Sequence, residues 1–471
     1  MSSKSISVRK ALAFQIMMML AIALVLPLSA TAQLRINQAG KQQNKPLTQA
    51  QASSNRQVAD RQAAQPVKQD PKTESGSPFD AVRGKAEDLS KRDAFSKHYK
   101  NEDGSYTALI GAGPIHFEKG GQFYDISHNI TANGDASYPY SNTTNLFESY
   151  FGATAHTGVK NSTPEGEITE FLNTKMYWEV NGQAVNTLAS ANTAVTIQAD
   201  KAYYNNLYGS IAAEFAIESG RRKLNYIIPN AQALGNIPAN TNYLVFTEDI
   251  KLQNNWTHTV TERGILIKDQ AGNNIYLYDN PVSFDATNSL EKGQRNTIFE
   301  TTLNGNVLTI KTKVKTTWLL DNARQFPIKV DPTVSVYPNN TDRWSVAVFD
   351  DGDETWTQYG CFGLYPGYWL QYHIKFNTSS IPSGSTLSSV IGYRYQTASA
   401  GTRHTSSTWN WANSADPTTT SGTTLYNSVT ALQATSTATN NTNNSWKSST
   451  FTAGGRTYVS NGINNLGYVA A

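Results

Sequence analysis

The sequence predicts an all-β protein: an antiparallel, β-rich N-terminal domain followed by a jelly-roll-like β-sandwich. Three observations carry this. The 471-residue chain is 39% hydrophobic but only 16% charged, with many Tyr, Thr, Asn and Ser residues, a composition that suits a β-rich exported protein better than a helical cytosolic one. No long amphipathic repeat of helical period is present. Asp103-Gly104 and Gly120-Gly121 have the chemistry of tight hairpin turns that need positive φ, and further turn signals recur at Asn133-Gly134, Asn181-Gly182, Asp269 to Asn274 and Asn304-Gly305, at spacings that suit a run of antiparallel strands.

Residues 1–32 read as a signal peptide. Lys4, Arg9 and Lys10 precede an apolar run from Ala11 to Leu26, and Ala30-Thr31-Ala32 offers the small-residue pattern for cleavage before Gln33. The expected location is therefore secreted or cell-surface. Pro27 and the small residues after it argue against a retained anchor, so no membrane span is expected after cleavage. Cleavage removes three cations and no anions, turning 39 basic and 36 acidic residues into 36 of each. A neutral chain lacks the cationic surplus that neutralises phosphates, so no nucleic-acid partner is expected. Cys361 is the sole cysteine, which excludes a disulfide within the chain and suits a small buried hydrophobe.

Residues 33–78 are rich in Gln, Ala, Lys and Pro and hold little that is large and apolar, so the expectation is a disordered Gln-rich linker. A β-rich domain is then expected over 79–332. It opens with a charged stretch of helical character through Lys91, Arg92 and Asp93, followed by two hairpins. In "GNVLTIKTKVKTTWLL", Leu308, Ile310 and Val314 alternate with Thr309, Lys311, Lys313 and Lys315. That is a strand with one apolar and one cationic face; a solvated or edge face is the ordinary meaning, and a site for an acidic polymer the sharper one. Pro327 and Pro332 in "FPIKVDPTV" interrupt any ladder and mark the expected boundary. The sandwich is expected over 333–471. In its strand "LQYHIKF", Leu370, Tyr372, Ile374 and Phe376 face one way, with Gln371, His373 and Lys375 on a polar face.

Two stretches resemble known families. "KNEDGSYTALIGAGPIHFEKGGQFYDISHNI" resembles the N-terminal β-rich region of wall-associated and Rhs-like exported bacterial proteins. Asn101, Asp103, Gly104, Ser105, Tyr106, Thr107, Gly113, Pro114, His116, Gly121, Phe123, Asp125 and Ile126 carry the match. "YHIKFNTSSIPSGSTLSSVIGYRY" is similar to the DNRLRE domain, a β-sandwich of exported bacterial proteins. Here Ile374, Lys375, Phe376, Ser379, Ser380, Ile381, Pro382, Gly384, Leu387 and Ser388 fall on the pattern. The family's opening strand is not recognisable in "TDRWSVAVFDDGDETW", and "NNLGYVAA" lacks its usual closing apolar strand, so the sandwich is expected to be incomplete at its C-terminus. Some DNRLRE-type domains bind carbohydrate, so the resemblance implies structural or binding modules, a polysaccharide or cell-surface glycan as partner, and no catalytic residues.

The residues themselves carry no catalytic motif. The seven histidines lack zinc-helix spacing, and neither a G-x-S-x-G elbow nor a phosphate-binding glycine loop occurs. A carboxylate pair that degrades polysaccharide assembles in space, which keeps an enzyme as the third reading. The cofactor expectation is none, or calcium held by Asp350, Asp351, Asp353 and Glu354 around Gly352; an acidic surface turn is the ordinary alternative. The carbohydrate-binding candidates are Trp356, Tyr359, Tyr365, Tyr368 and Trp369, whose rings would stack on sugars, against the alternative that they fill a sandwich core. The expected function is non-enzymatic surface attachment or carbohydrate binding. The alternative is the N-terminal structural part of a larger Rhs-like secreted toxin or shell protein.

Overall fold

A computed structural model describes residues 33–39, 76–261, 263–286, 296–336, 345–349, 354–355, 363–365, 368–396, 408–437, 445–462 and 465–470. They are mostly strand, arranged in antiparallel sheets with a few short helices, so the all-β expectation holds. Among them no helix is long and apolar enough to cross a membrane. Two of the glycine-bearing pairs close two-residue hairpins as expected, whereas Asn133-Gly134 has no positive φ and opens the longer connection 133–139. Gly120 and Gly121 have φ of 61° and 75° between the paired residues Lys119 and Gln122, and Asn181 and Gly182 have φ of 49° and 78° between Val180 and Gln183. Both are the mirror-image turns whose twist matches that of the strands they join.

A large sandwich is built from two sheets. The first runs from Thr131–Ala132 through Val159–Thr163, Gly166–Val180, Thr241–Lys251 and Val307–Lys315 to Thr297–Asn304. The second carries Lys201–Tyr208, Ile211–Glu218 and Arg221–Ile228, then Thr333–Ser335, Asn274–Asp279 and Gly264–Lys268. Strand alternation points Phe151, Trp178, Phe246 and Val314 of the first sheet at Tyr204, Phe215, Tyr226 and Val330 of the second. Tyr226 and Phe246 lie parallel, with ring centroids 4.2 Å apart. Along the same interface Ile168, Ile250, Leu308 and Ile310 meet Ile265, Ile267 and Tyr276.

The strand Val307–Lys315 keeps the expected alternation, with Leu308, Ile310 and Val314 buried. Its lysines are not a free cationic row. Lys313 Nζ lies 2.9 Å from Glu179 and 2.5 Å from Glu300, and Lys311 Nζ lies 3.7 Å from Glu300. Burial lowers the Lys313 pKa, but the two carboxylates outweigh it and hold the amine above its usual range. "FPIKVDPTV" is also more than an exit. Ile328–Asp331 and Thr333–Ser335 pair in succession with Arg221–Ile228, and Pro332 is the one-residue break between them.

A small sandwich packs a five-stranded sheet on a seven-stranded one. The five run in the order Ser96–Lys100, Tyr106–Ile110, Gln33–Ala39, Thr386–Gln396 and Ser445–Thr450. The seven are Glu354–Thr355, Ser345–Phe349, Tyr368–Lys375, Asn465–Ala470, Thr408–Asn413 and Leu432–Thr437, with Gly363–Tyr365 added beside Tyr368. Ala108, Ile110, Leu387 and Val390 meet Tyr372, Ile374, Trp411 and Leu466, while Phe451 and Val459 close the core.

The two bodies do not divide at one point in the sequence. The hairpin Ser96–Ile110, within the expected first domain, completes the small sandwich, and so does Gln33–Ala39 at the head of the expected linker. The rest of that linker to residue 75 lies outside the described residues. Two expectations at the sandwich's margins change. Ser345–Phe349 is a strand with Val346 and Val348 buried, and Asn465–Ala470, thought to lack a closing strand, pairs centrally with both Tyr368–Lys375 and Thr408–Asn413. His373 does fall opposite Tyr372 and Ile374, yet it is fully buried rather than on a wet face. The segment bearing Asp416, Leu425 and Val429 folds over that side: Lys375 Nζ donates to Asp416 at 2.5 Å, and Leu425 packs on Val346 and Val348.

Candidate functional site

The register of the seven-stranded sheet brings several chain ends together. Phe349 pairs with Leu370, so the chain leaves Phe349 toward the end of the sheet where Tyr368 begins its strand. It returns there at Glu354, opposite Val348. Tyr365 pairs with Tyr368, and Leu364 with Trp369, in a hairpin pointing to the same end. Thr408 pairs with Thr437, and in the facing sheet Gln396 pairs with Ser445. The connections 397–407 and 438–444, which lie outside the described residues, follow Gln396 and Thr437 and lead to Thr408 and Ser445. Their sequences, "TASAGTRHTSS" and "ATNNTNN", are almost wholly Ser, Thr, Asn and other small or polar residues. Loops gathered at one end of a rigid sandwich are the usual place for a recognition surface.

Of the predicted site residues, Trp356, Tyr359, Asp350, Asp351 and Asp353 lie outside the described residues. Glu354, Tyr365, Tyr368 and Trp369 stand in strands at the positions just given. Among the described residues no group of three His, Cys, Asp or Glu side chains could hold a metal ion.

Two charged clusters that the sequence reading missed lie elsewhere. The first is inside the large sandwich. Arg222 donates to Glu170 and, at 2.6 Å, to Asn161 Oδ1; its guanidinium sits 5.0 Å from the Phe215 ring centroid. Tyr278 donates its hydroxyl to the other oxygen of Glu170. Glu248 accepts the backbone N–H of Phe171 at 3.1 Å. Phe171 has a φ of 61°, costly for a residue with a Cβ, and its ring packs on Tyr204, Phe215 and Tyr226. The carboxylate and the aromatic packing together hold this bulge in the strand Gly166–Val180. Burial pushes the Glu248 carboxyl up to about 7 against the pull of Arg222, and lowers Arg222 to about 10.

A pH dependence follows. Glu248 holds its proton more tightly folded than unfolded, so its contribution is full below about pH 4.5 and is lost as pH rises through about 7. The loss is up to about 3 kcal/mol. Urea midpoints of the wild type should fall between pH 5 and 7.5, and Glu248→Gln should flatten that fall. A wild-type midpoint that rises across this interval contradicts the assignment.

The second cluster explains the motif around His116. The hairpin pairs His116 with Asp125. Nδ1 of the fully buried imidazole lies 2.5 Å from the Asp93 carbonyl oxygen, and Nε2 lies 3.2 Å from Asp125 Oδ1. Lys97 reaches the same carboxylate at 2.6 Å and Arg92 at 3.4 Å, while Arg92 also clasps Glu87. Burial raises the Asp125 pKa, but these partners outweigh it and hold the carboxyl well below its usual range. In the preceding hairpin Ser105 donates its amide to Asp103 at 2.9 Å, and Asn101 donates to Ser105 Oγ at 2.9 Å. The motif residues thus build turns and a charge clasp. The cleft beside them, lined by residues 90–93, His98, Ser380 and Pro382, holds about 230 Å³, smaller than an ordinary ligand pocket.

No protein-family model matches the chain, and no curated protein matches it either.

Proposed function

We propose that the protein is an exported, non-enzymatic β protein of the DNRLRE-like kind that binds polysaccharide or cell-surface glycan through the loop end of its small sandwich. One observation supports the reading: strand register sets Phe349, Glu354, the hairpin at Tyr365 and Tyr368, Thr408 and Thr437 at one end of the seven-stranded sheet, and the acidic and Ser/Thr/Asn-rich connections adjoin these residues in sequence. Flat rings beside many hydroxyl, amide and carboxylate groups are the chemistry that recognises sugars, by stacking on apolar ring faces and hydrogen bonding to hydroxyls. The buried charges elsewhere have partners that commit them to the fold, so they are poor candidates for a hydrolase's acid and base. Calcium at Asp350, Asp351, Asp353 and Glu354 would relieve the repulsion among these four like charges.

The test is retention of the full chain on a polysaccharide panel, in calcium and in EDTA. Retention without release of sugar is expected, weakened several-fold by EDTA. Release of soluble oligosaccharide would instead make the protein a degrading enzyme.

A further inference from the structure

The five-stranded sheet is completed by a strand distant in sequence from both its neighbours. Gln33–Ala39 pairs antiparallel with Thr386–Gln396 on one side, from Gln33 opposite Tyr393 to Ala39 opposite Thr386. On the other side it pairs antiparallel with Tyr106–Ile110, from Leu34 opposite Ile110 to Gln38 opposite Tyr106. It is the hydrogen-bonded link between two hairpins, Ser96–Ile110 and the pair Thr386–Gln396 with Ser445–Thr450. Removing it would leave two facing edges, each a row of unmet backbone donors and acceptors.

We infer that this slot is a strand-exchange interface, filled by residues 33–39 of the same chain when dilute and by residues 33–39 of a second copy when the protein is crowded. Three observations support it. The slot is read by backbone hydrogen bonds along both flanks, so the same segment of any copy meets it identically. Residues 40–75, which join the strand to Gly76, reach at most about 130 Å when extended, enough to cross to a neighbouring molecule. The chain left after the expected cleavage has no net charge to keep copies apart. A tethered strand competes at an effective concentration in the millimolar range, so exchange is set by crowding, as on a cell surface. The inference is independent of glycan binding.

The register supplies the test, since Asn37 lies opposite Thr107. Directly opposed antiparallel residues have Cα atoms about 4.5–5.5 Å apart, within the span of a disulfide. Full chains carrying Cys361→Ser with either Asn37→Cys or Thr107→Cys are mixed at rising concentration and oxidised. A disulfide-linked heterodimer, increasing with concentration, is expected. A third chain carrying both cysteines must cross-link within itself at low concentration. If that chain closes but the mixture stays monomeric, exchange is refuted; if it fails to close, the slot itself is refuted.

Discussion

Arg222→Met is expected to destabilise the protein by about 3–5 kcal/mol, the largest effect of any single charge removal in the large sandwich. The guanidinium is 2% exposed and is the cation that Glu170 and Glu248 share across the core, with Glu170 itself 1% exposed. Without it, one buried carboxylate must take up a proton or lose its charge partner, and Asn161 loses a donor to its Oδ1. Arg222→Met/Glu170→Met removes both charges and should recover much of the loss, because an apolar pair of similar volume needs no desolvated charge. Urea unfolding of wild type, both single variants and the double variant measures the coupling. A double variant no more stable than Arg222→Met would show that the cluster does not act as a pair.

Trp411→Ala is expected to cost about 3–5 kcal/mol in the small sandwich. The ring is 1% exposed, with Phe376 and Phe451 centroids 6.1 and 6.2 Å away. Gly392 lies beneath it so closely that a Cβ there would stand 2.9 Å from the indole. Removing the indole leaves a cavity between the sheets that these neighbours can only partly fill. Hydrogen exchange should localise the damage: amides of Tyr368–Lys375 and Thr386–Gln396 lose protection, while Arg221–Ile228 in the large sandwich keeps it. Equal loss in both bodies would contradict their having separate cores.

What the sequence revealed of this fold followed from local rules. Paired turn residues located the hairpins at Gly120-Gly121 and Asn181-Gly182, and period-two alternation found the buried faces at Leu308 and Ile310 and at Tyr372 and Ile374. The missed features are non-local. Nothing near Gln33 marks it as a partner of Tyr393, because the strand is defined by its two distant neighbours and is followed by a Gln- and Pro-rich sequence with little that is large and apolar. Arg222, Glu170, Asn161 and Tyr278 come from four strands and meet only through register; the one local trace is the broken alternation in "ITEFLNTK", where the strand bulges at Phe171 and Asn173. His373 obeyed the alternation but not its usual consequence, since the segment bearing Leu425 covers the second face. The His116 and Asp125 motif was visible as a resemblance, and only its geometry gives it a structural task.

The loop end of the small sandwich is the centre of the functional account, and one comparison tests it most directly. Wild type and Trp356→Ala/Trp369→Ala are applied as full chains to the same polysaccharide panel, with melting temperature recorded for each. The account predicts that the double variant loses retention at least tenfold while its melting temperature stays within a few degrees of wild type. Unchanged retention, or no retention by either protein together with a large drop in melting temperature for the variant, would contradict it and return these tryptophans to the core.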